Sequence, residues 1–433
     1  MPAEWEPHAA TWLVWPRNRE TWPGKLLKEV ESIYLQMISA LLAGEKVNLL
    51  IHDKKTAGRV IEALDPKKAR IQNLFFHEVT TVDTWIRDYG PIFVKKIEKM
   101  SFRRSVATEK SHLLKTEISR PPKNGGLEMT ALAFTKWRFN AWGGKYSDLA
   151  RDNGAVDRVA ALKAYERCDV PMVLEGGSID VNGRGACLTT EQCLLNSGRN
   201  PKLTRGEVEE KLVRYLGITK VIWLKKGIEG DDTDGHVDDI ARFVGPTTVL
   251  AAVEKDAQDP NCAVLEENFE ILRRQKDQDG KRLRVIELPM PGYVYNSSFR
   301  ASGANTSFRV AEGDEKSRSY SPKGGPPSAE KRDLSALKRL EMTGECGISR
   351  PSKSGGLEMT IDPRRFARLP ASYANFYVAN TCVLAPVYGH PNDREALRVI
   401  RRVFSGRKVV GINCRALVYG LGAIHCVTQQ EPQ

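Results

Sequence analysis

The sequence predicts a mixed α+β fold, and three observations lead to that prediction. Segments typical of buried strands alternate with segments of helical periodicity, and short connections join them. The composition, 41% hydrophobic and 28% charged, is that of a globular protein with ample material for a core. No apolar run among the 433 residues approaches the ~20 residues that a membrane-spanning helix needs, which argues against a membrane protein.

The first part of the chain shows this alternation clearly. Apolar residues recur at helical spacing from Leu26 to Leu41, and Gly44 follows as a stop signal. A buried strand is predicted over 47–51, a helix through 60–64 and a further strand around 71–76. The predicted unit is therefore strand, helix, strand.

Later signals continue the same pattern. Asn182-Gly183 predicts a hairpin turn, and Thr204 with Glu207 forms a capping box that opens a helix, which Gly217 closes. A strand is predicted over 220–224. Two more helices are predicted near 262–275 and 393–404.

The cysteines indicate a reducing compartment. Eight cysteines occur without CxxC or zinc-like spacing, so neither a metal site nor a disulfide framework is predicted. The first residues, Met1 to Trp5, have neither a basic start nor an apolar stretch. We therefore expect a cytoplasmic protein with reduced thiols.

The net charge of +12 is concentrated in two segments. Lys95 to Ala131 and Arg300 to Arg368 each carry a net charge of +5, and the remainder is nearly balanced. Each segment holds one copy of a short repeat, Ile118–Thr130 and Ile348–Thr360, in polar surroundings rich in Pro, Gly, Ser and Lys. We interpret residues of about 98–131 and 301–367 as flexible surface insertions without a role in the chemistry.

The most acidic stretch runs from Asp231 to Asp239 and leads directly into an apolar run. Its five carboxylates and one imidazole are costly beside a buried strand unless a cation or a proton relay uses them. A solvated acidic turn and a site for an organic cation both fit, whereas a calcium loop would need acidic residues at Gly230 and Ala241. In the organic-cation interpretation His236 moves protons, and Asp238, on the same strand face, holds positive charge.

Two other candidate carboxylates stand beside glycine-marked bends. Asp88 and Trp85 precede the turn signal Gly90-Pro91, where Asp88 could equally serve as a turn cap. Glu175 precedes two glycines, which allow a ligand or another backbone to come close. An exposed Glu at a bulge explains that pattern equally well.

A candidate nucleophile lies near the end of the chain. Cys426 follows Gly420-Leu421-Gly422 and is predicted on a short strand, with His425 on the opposite face. An isolated cysteine is more often an inert core residue. The glycines and the His/Asp stretch elsewhere in the chain favour a nucleophile.

Together these residues and their surroundings resemble the agmatine deiminase family, guanidine-modifying enzymes of the pentein superfamily. The matching motifs follow one another along the chain as Met1–His8, Trp85–Pro91, Phe139–Lys145, Leu174–Ser178, Asp234–Asp238, Leu369–Phe376 and Gly422–Cys426. The resemblance implies a pentein pseudo-fivefold α/β propeller of ββαβ modules, formed by a single domain over 1–433 with the two surface insertions.

The resemblance also implies hydrolysis of agmatine to N-carbamoylputrescine and ammonia through a covalent amidino-cysteine intermediate, with no metal or other cofactor. Asp88 and Asp238 would hold the planar guanidinium, and Cys426 would attack its central carbon. His236, oriented by Glu175, would protonate the departing ammonia and then activate water. The implied catalytic residues are Cys426, His236, Glu175, Asp88 and Asp238, and the implied substrate-binding residues are Asp88, Asp238, Asp232 and Trp85.

Two alternatives remain open. A related deiminase would act on C-terminal or free arginine and would need a cation for the carboxylate, which Arg87 could supply. A catalytically silent pentein scaffold, or a nucleic-acid-binding protein that uses the basic insertions, belongs to another class, and the complete set of site residues argues against it. The expected partner is a small guanidine, agmatine, in putrescine biosynthesis or agmatine breakdown. No membrane partner is expected, nucleic acid is disfavoured, and a homo-oligomer is left open.

Overall fold

The computed structural model describes residues 1–64, 70–100, 127–163, 165–294 and 368–433. Most of the first predicted insertion and the whole of the second lie outside these ranges, as does the second copy of the repeat. Met1–Val294 and Leu369–Gln433 belong to one compact unit, and every element below lies in it.

The same arrangement of two strands, a helix and a third strand occurs five times in the described residues. In each unit the first two strands are antiparallel, and the third strand runs parallel to the second. A parallel partner requires a crossover connection, and a helix supplies it each time. This repeated ββαβ connectivity confirms the expected pentein architecture.

The strands in chain order are β1 (His8–Val14), β2 (Lys46–Ile51), β3 (Leu74–Glu78), β4 (Ile92–Met100), β5 (Leu127–Arg138), β6 (Glu166–Val173), β7 (Asp180–Val181), β8 (Ala186–Thr190), β9 (Lys220–Leu224), β10 (Ala241–Gly245), β11 (Thr248–Val253), β12 (Arg284–Pro289), β13 (Tyr377–Val378), β14 (Cys382–Val387), β15 (Lys408–Asn413) and β16 (Thr428–Pro432). The helices are α1 (Leu26–Leu41), α2 (Lys54–Ala63), α3 (Ile86–Tyr89), α4 (Ala141–Gly144), α5 (Ala155–Leu162), α6 (Glu191–Leu194), α7 (Arg205–Leu216), α8 (Asn261–Arg274), α9 (Asp393–Val403) and α10 (Arg415–Val418). The sheet orders are β16-β1-β2-β3, β4-β5-β6, β7-β8-β9, β10-β11-β12 and β13-β14-β15.

Local sequence signals explain several of these elements. The predicted capping box is present, since Thr204 Oγ1 accepts from the Glu207 N–H and the Glu207 side chain accepts from the Thr204 N–H. Gly217 ends α7 in the left-handed conformation at φ 69°, where a side chain would be strained. The apolar face of α1 is buried as its periodicity predicted. The described helices include none with the length and apolar character of a membrane span.

Both ends of the chain contribute to one sheet. The C-terminal β16 pairs antiparallel with β1 and so supplies the outer strand that β4 or β7 supplies in other units. The Trp12 indole on β1 donates to Glu431 Oε2 on β16 over 2.8 Å, and both residues are buried. The first unit is therefore complete only when the last residues of the chain have been added.

A short turn precedes the first strand of every unit. These turns are α3 before β4, Gly176–Ser178 before β7, Val237–Asp239 before β10, Ser372–Asn375 before β13 and His425–Val427 before β16. The α3 turn contacts the turns at 176–178 and 425–427, and the turn at 176–178 contacts the one at 237–239. The fold thus brings equivalent turns from distant parts of the chain together.

Two strand predictions at these turns are wrong. Residues 237–239 and 425–427 form 3₁₀ turns, and the strands begin only at Ala241 and Thr428. The first turn departs from extended backbone because Gly235 has φ 89° and the Asp231 carboxylate accepts from the N–H groups of Gly235 and His236. The alternation of side chains that a strand imposes therefore does not apply to His236 and Asp238, or to His425 and Cys426.

Candidate active site

The structure brings the five predicted catalytic residues together in one buried cluster. Asp88 lies on α3, Glu175 directly precedes the turn at 176–178, and the other three lie at the turns 237–239 and 425–427. None of the five is more than 7% exposed. The glycine-marked bends of the sequence are therefore the places where the site is built.

Asp88 accepts two hydrogen bonds, and the backbone of Gly177 passes close to its carboxylate. Its Oδ1 accepts from the Gly177 N–H over 3.0 Å, and its Oδ2 accepts from the Trp142 indole over 2.9 Å. A Cβ on Gly177 would lie 2.6 Å from His236 Nδ1, 2.9 Å from Asp88 Oδ1 and 3.0 Å from Asp238 Oδ2. Only glycine allows the backbone to approach all three groups at this position, and a Cβ on the preceding Gly176 would lie 2.1 Å from the Arg87 carbonyl oxygen, which explains the pair of glycines after Glu175.

Glu175 is paired with a cation, Arg199, for which the sequence predicted no role. Both of its carboxylate oxygens accept from Arg199 Nε, over 2.9 and 3.0 Å, and neither side chain is exposed. The same guanidinium donates to Asp234 Oδ2 over 2.7 Å and to the Thr233 carbonyl. Arg199 therefore joins Glu175 to the acidic stretch.

His236 lies between two carboxylates and a thiol. Its Nδ1 is 3.7 Å from Asp88 Oδ1. A ring nitrogen of His236, a carboxylate oxygen of Glu175 and Cys193 Sγ also lie within 4.8 Å of one another. Burial disfavours the charged ring, but Asp88, Cys193 and Asp238 hold the pKa of the imidazole well above its usual value. Within the described residues His236 Nε2 has no hydrogen-bond partner, so the predicted orientation by Glu175 rests on proximity alone.

Asp238 is oriented by His425. Its Oδ2 lies 2.6 Å from His425 Nδ1, and His425 Nε2 lies 2.8 Å from Glu4 Oε2. Burial would raise the pKa of the Asp238 carboxyl, but His425 and His236 lower it below its usual value. Its Oδ1 is buried without a partner among the described residues, and is free to accept from a ligand.

Cys426 lies beside these carboxylates. Its Sγ is 4.0 Å from Asp238 Oδ2. Cys426 and His425 therefore both approach the Asp238 carboxylate, whereas the predicted strand would have placed their side chains on opposite faces. Burial and the neighbouring carboxylates of Asp238, Asp239 and Asp88 raise the pKa of the thiol well above its usual value. At neutral pH the free protein therefore holds a thiol, and a bound cation would be needed to favour the thiolate.

The two residues predicted only to bind substrate, Asp232 and Trp85, lie beside the cluster. Asp232 is partly exposed, and its carboxylate accepts from the Tyr146 hydroxyl and lies 3.6 Å from Lys145 Nζ. The Tyr146 ring contacts the Trp142 ring, which itself bonds Asp88. Trp85 is buried, and its ring lies within 2.6 Å of the place where a Cβ on Gly422 would stand. Asp232 thus connects to the cluster through two aromatic rings.

Other residues of the site had no predicted role. Glu4, His425 and Asn375 lie inside the motifs that carry the family resemblance, so the motifs were a usable signal for them. Arg199 and Cys193 lie outside those motifs, and Arg199 is marked only by the turn at Gly198 that directly precedes it. They come close to Glu175 because the chain returns to it after the β7–β8 hairpin, and the sequence predicted the hairpin turn but not this return.

The arrangement suits a planar cation. Two buried carboxylates stand beside a nucleophilic sulfur, and a charged imidazole lies within reach of one of them. A guanidinium presents forked N–H donors that match such carboxylates, and its charge would balance theirs. The repeated ββαβ units and this site define a pentein enzyme that modifies guanidines.

Comparisons with known proteins agree with that class. A sequence model of the Porphyromonas-type peptidyl-arginine deiminase family matches residues 1–432. This chain is 33% identical over its whole length to the agmatine deiminase of Medicago truncatula and to that of Stutzerimonas stutzeri. The two alignments cover 96% and 95% of those proteins, respectively. The solved agmatine deiminase of Enterococcus faecalis aligns with a TM-score of 0.70 and 27% identity, covering 100% of this chain and 95% of that one. The chain therefore belongs to the Porphyromonas-type peptidyl-arginine deiminase family and groups with the agmatine deiminases of the pentein superfamily.

Proposed function

We propose that this protein hydrolyses agmatine to N-carbamoylputrescine and ammonia through a covalent intermediate on Cys426. Asp88 and Asp238 hold the guanidinium, with Asp238 Oδ1 as the free acceptor. The bound cation balances the charges around Cys426, and the thiol proton leaves to solvent. This step explains how a thiol with a raised pKa becomes a nucleophile.

The remaining steps follow from the charge on His236. The thiolate adds to the central carbon, His236 gives its proton to one nitrogen, and that nitrogen leaves as ammonia. Neutral His236 then takes a proton from a water molecule, whose oxygen adds to the same carbon. The carbon–sulfur bond breaks, the thiolate returns, and the protonated carbamoyl product loses its extra proton to solvent.

The observation that carries the choice of agmatine over arginine is the state of Arg87. It is 3% exposed, and its guanidinium donates to Glu4 Oε2 over 3.2 Å and Gln430 Oε1 over 2.7 Å. Lys145, nearer to Asp232, is paired with Asp234 Oδ1 over 2.7 Å. The carboxylate of arginine would find Arg87 and Lys145 already paired with protein carboxylates. The primary amine at the other end of agmatine would instead meet the carboxylate of Asp232.

Hydrolysis of C-terminal or free arginine is the second candidate, because the matching family is named for peptidyl-arginine deiminases. Arginine would need Arg87 or Lys145 to exchange its present partner for the substrate carboxylate. Breaking the buried Arg87–Glu4 pair is costly, and even the partly exposed Lys145 would have to leave Asp234, so arginine would be the poorer substrate.

Ammonia release from agmatine, free arginine and a C-terminal arginyl peptide tests the proposal. We expect turnover of agmatine by the wild type, loss in Cys426→Ser, and no loss in Cys262→Ser, which removes a half-buried thiol on α8. Turnover of the arginyl compounds alone would assign the second candidate. No turnover of any of them by folded protein would contradict both.

The proposal extends to the compartment and to the two basic segments. We place the protein in the cytoplasm, in polyamine biosynthesis or agmatine breakdown, and the seven described cysteines are free thiols that suit a reducing compartment. We keep the interpretation of the two basic segments as insertions into a single domain, outside the chemistry.

A further inference from the structure

The segment 139–146 reaches both ends of the proposed substrate site through a strained turn. Ala141 and Trp142 have φ values of 56° and 55°, which residues with a side chain rarely adopt. Asn140 fixes the turn, because its side chain accepts from the Gly143 N–H over 2.9 Å. Strain that is held in place in this way points to a function for the side chains that the turn presents.

Two aromatic side chains of this segment each hold a carboxylate of the site. The Trp142 indole donates to Asp88 Oδ2 over 2.9 Å, at the guanidinium end. The Tyr146 hydroxyl donates to Asp232 Oδ2, at the end proposed for the primary amine. The two rings contact each other at an interplanar angle of 85°, with centroids 5.9 Å apart. The segment therefore connects the two ends of the substrate site.

The hydrogen bond from Tyr146 engages one oxygen of Asp232 and leaves the other accessible. Burial and the contact with Asp232 raise the pKa of the phenol above its usual value, so the hydroxyl keeps its proton and donates. Asp232 Oδ1 lies 3.6 Å from Lys145 Nζ, which is longer than a hydrogen bond. This oxygen is therefore able to accept from an incoming amine.

Lys145 is a cation of the protein that could take the place of the substrate amine. Its ammonium donates to Asp234 Oδ1 over 2.7 Å and to the Asp232 carbonyl over 2.6 Å, directly beside the Asp232 carboxylate. Both side chains are partly exposed, Lys145 at 33% and Asp232 at 29%, so neither is locked by packing. A rotation of the Asp232 carboxylate would close the ion pair, and the Tyr146 hydroxyl opposes that rotation.

The ion pairs around Asp232 leave one negative charge uncompensated. Arg199 pairs with Glu175 and Asp234, over 2.9 and 2.7 Å. Lys145 pairs with Asp234 over 2.7 Å and with Asp232 over 3.6 Å. Three carboxylates thus share two cations, and Asp232 has the longest of the four pairs. One further cation at Asp232 would balance the network.

On the basis of the proposed function, we propose that Tyr146 determines specificity for a primary amine at the far end of the guanidine substrate. Its hydroxyl holds Asp232 away from Lys145, so that the carboxylate remains available to the amine. Without this hydrogen bond Asp232 pairs with Lys145, and the site loses its preference for guanidines that carry an amine.

The preference can be measured by calorimetric titration of Cys426→Ser protein, in which turnover does not interfere. The quantity is the Kd of n-butylguanidine, which lacks the amine, divided by the Kd of agmatine. Tyr146→Phe removes the hydroxyl and keeps the ring against Trp142. We expect this ratio to fall about tenfold, the size of one hydrogen bond to a charged group.

A second substitution separates this role from a structural one. Lys145→Met removes the competing cation, and we expect its addition to Tyr146→Phe to restore most of the ratio. An unchanged ratio in folded Tyr146→Phe, or a fall that Lys145→Met does not restore, would overturn the proposal. The thermal unfolding midpoint identifies variants that have lost the fold.

Tyr215 offers a matched control on α7. It is half-buried like Tyr146, and its ring also packs edge-to-face on a tryptophan, Trp137, with centroids 6.0 Å apart. We expect Tyr215→Phe to leave the ratio of the two Kd values unchanged.

Binding and turnover separate this proposal from the one on which it rests. A ratio that falls in Tyr146→Phe, in a protein whose wild type releases no ammonia from agmatine, would support the role of Tyr146 and contradict the proposed function alone. Agmatine turnover by the wild type with an unchanged ratio would do the opposite. Failure of agmatine to bind at all would contradict both.

Discussion

The charges of individual residues are set by burial and by the neighbours that burial imposes. Burial, with the carboxylates of Asp238 and Glu175, raises the pKa of Asp88 to about 6 despite the charge of His236. The carboxylate of Asp238 stays charged because His425 and His236 outweigh its burial. At neutral pH the free site thus holds Asp88 and Asp238 as carboxylates, His236 as an imidazolium and Cys426 as a thiol, which is the state that a cationic substrate completes.

The pKa of Asp88 predicts the acid limb of the activity profile. Asp88 must be ionised to hold the guanidinium, and protonation below about pH 6 removes that grip. We expect kcat/KM for agmatine, which reports the free enzyme, to fall at least tenfold per pH unit below about pH 6. A flat profile down to pH 5, in protein that remains folded, would contradict the assigned role.

Gly177 gives a steric prediction. An added methyl group would lie 2.6 to 3.0 Å from His236, Asp88 and Asp238, so each of them must move. We expect Gly177→Ala to lower kcat/KM by about 10²-fold, because small displacements of reacting groups are costly. Gly206→Ala on α7, where a Cβ meets nothing within 4 Å, is the control and should leave activity unchanged. Equal activity of the two variants would contradict the packing described.

At the scale of elements, local patterns predicted the longer helices and several strands but not the turns of the site. The periodicity of α1, the capping box of α7 and the turn at Asn182-Gly183 report interactions within a few residues, and all three are observed. The turn at 237–239 was predicted as a strand because an apolar run follows it, and the turn at 425–427 because a glycine-containing loop leads into it. Their true geometry depends on contacts with distant units, which no local pattern contains.

Arg199 links two elements, and its loss should be costly. Arg199→Ala would leave the fully buried carboxylate of Glu175 without its cation. We expect it to lower the free energy of unfolding by about 3–5 kcal/mol, measured by urea denaturation. Arg205 pairs with Glu191 and Glu209 at the surface, so Arg205→Ala should change the free energy by less than about 1 kcal/mol. Similar losses for both variants would show that the Glu175 pair is not specially stabilising.

At the scale of the whole molecule, the architecture and the site were predictable only through the family motifs. His425 contacts Glu4 over a separation of 421 residues, and the first sheet needs both chain ends. Periodicity and turn signals cannot identify such pairs. The motifs could, because they occur in one order through the chain, although they assigned no role to Asn375 or Glu4.

The two basic segments can be removed without cutting into the described strands. Met100 pairs directly with Leu127, and the Leu369 N–H donates to the Val294 carbonyl over 3.1 Å. We therefore join Met100 to Leu127 by Asn-Gly, a two-residue hairpin turn, and replace 295–367 by a short Gly-Ser linker. We expect the shortened protein to keep its fold and its kcat/KM for agmatine within about threefold. Loss of the folded state or of activity would contradict the interpretation of these segments as insertions.

The central claim is that Cys426 forms a covalent bond to the guanidine carbon, and trapping that species tests it most directly. The protein is mixed rapidly with agmatine and quenched in acid, and mass spectrometry then locates any adduct. We predict an amidino adduct on the peptide that contains Cys426, formed and lost within the time of turnover and absent from Cys426→Ser. Ammonia release without an adduct on that peptide, or an adduct on another cysteine, would contradict the account.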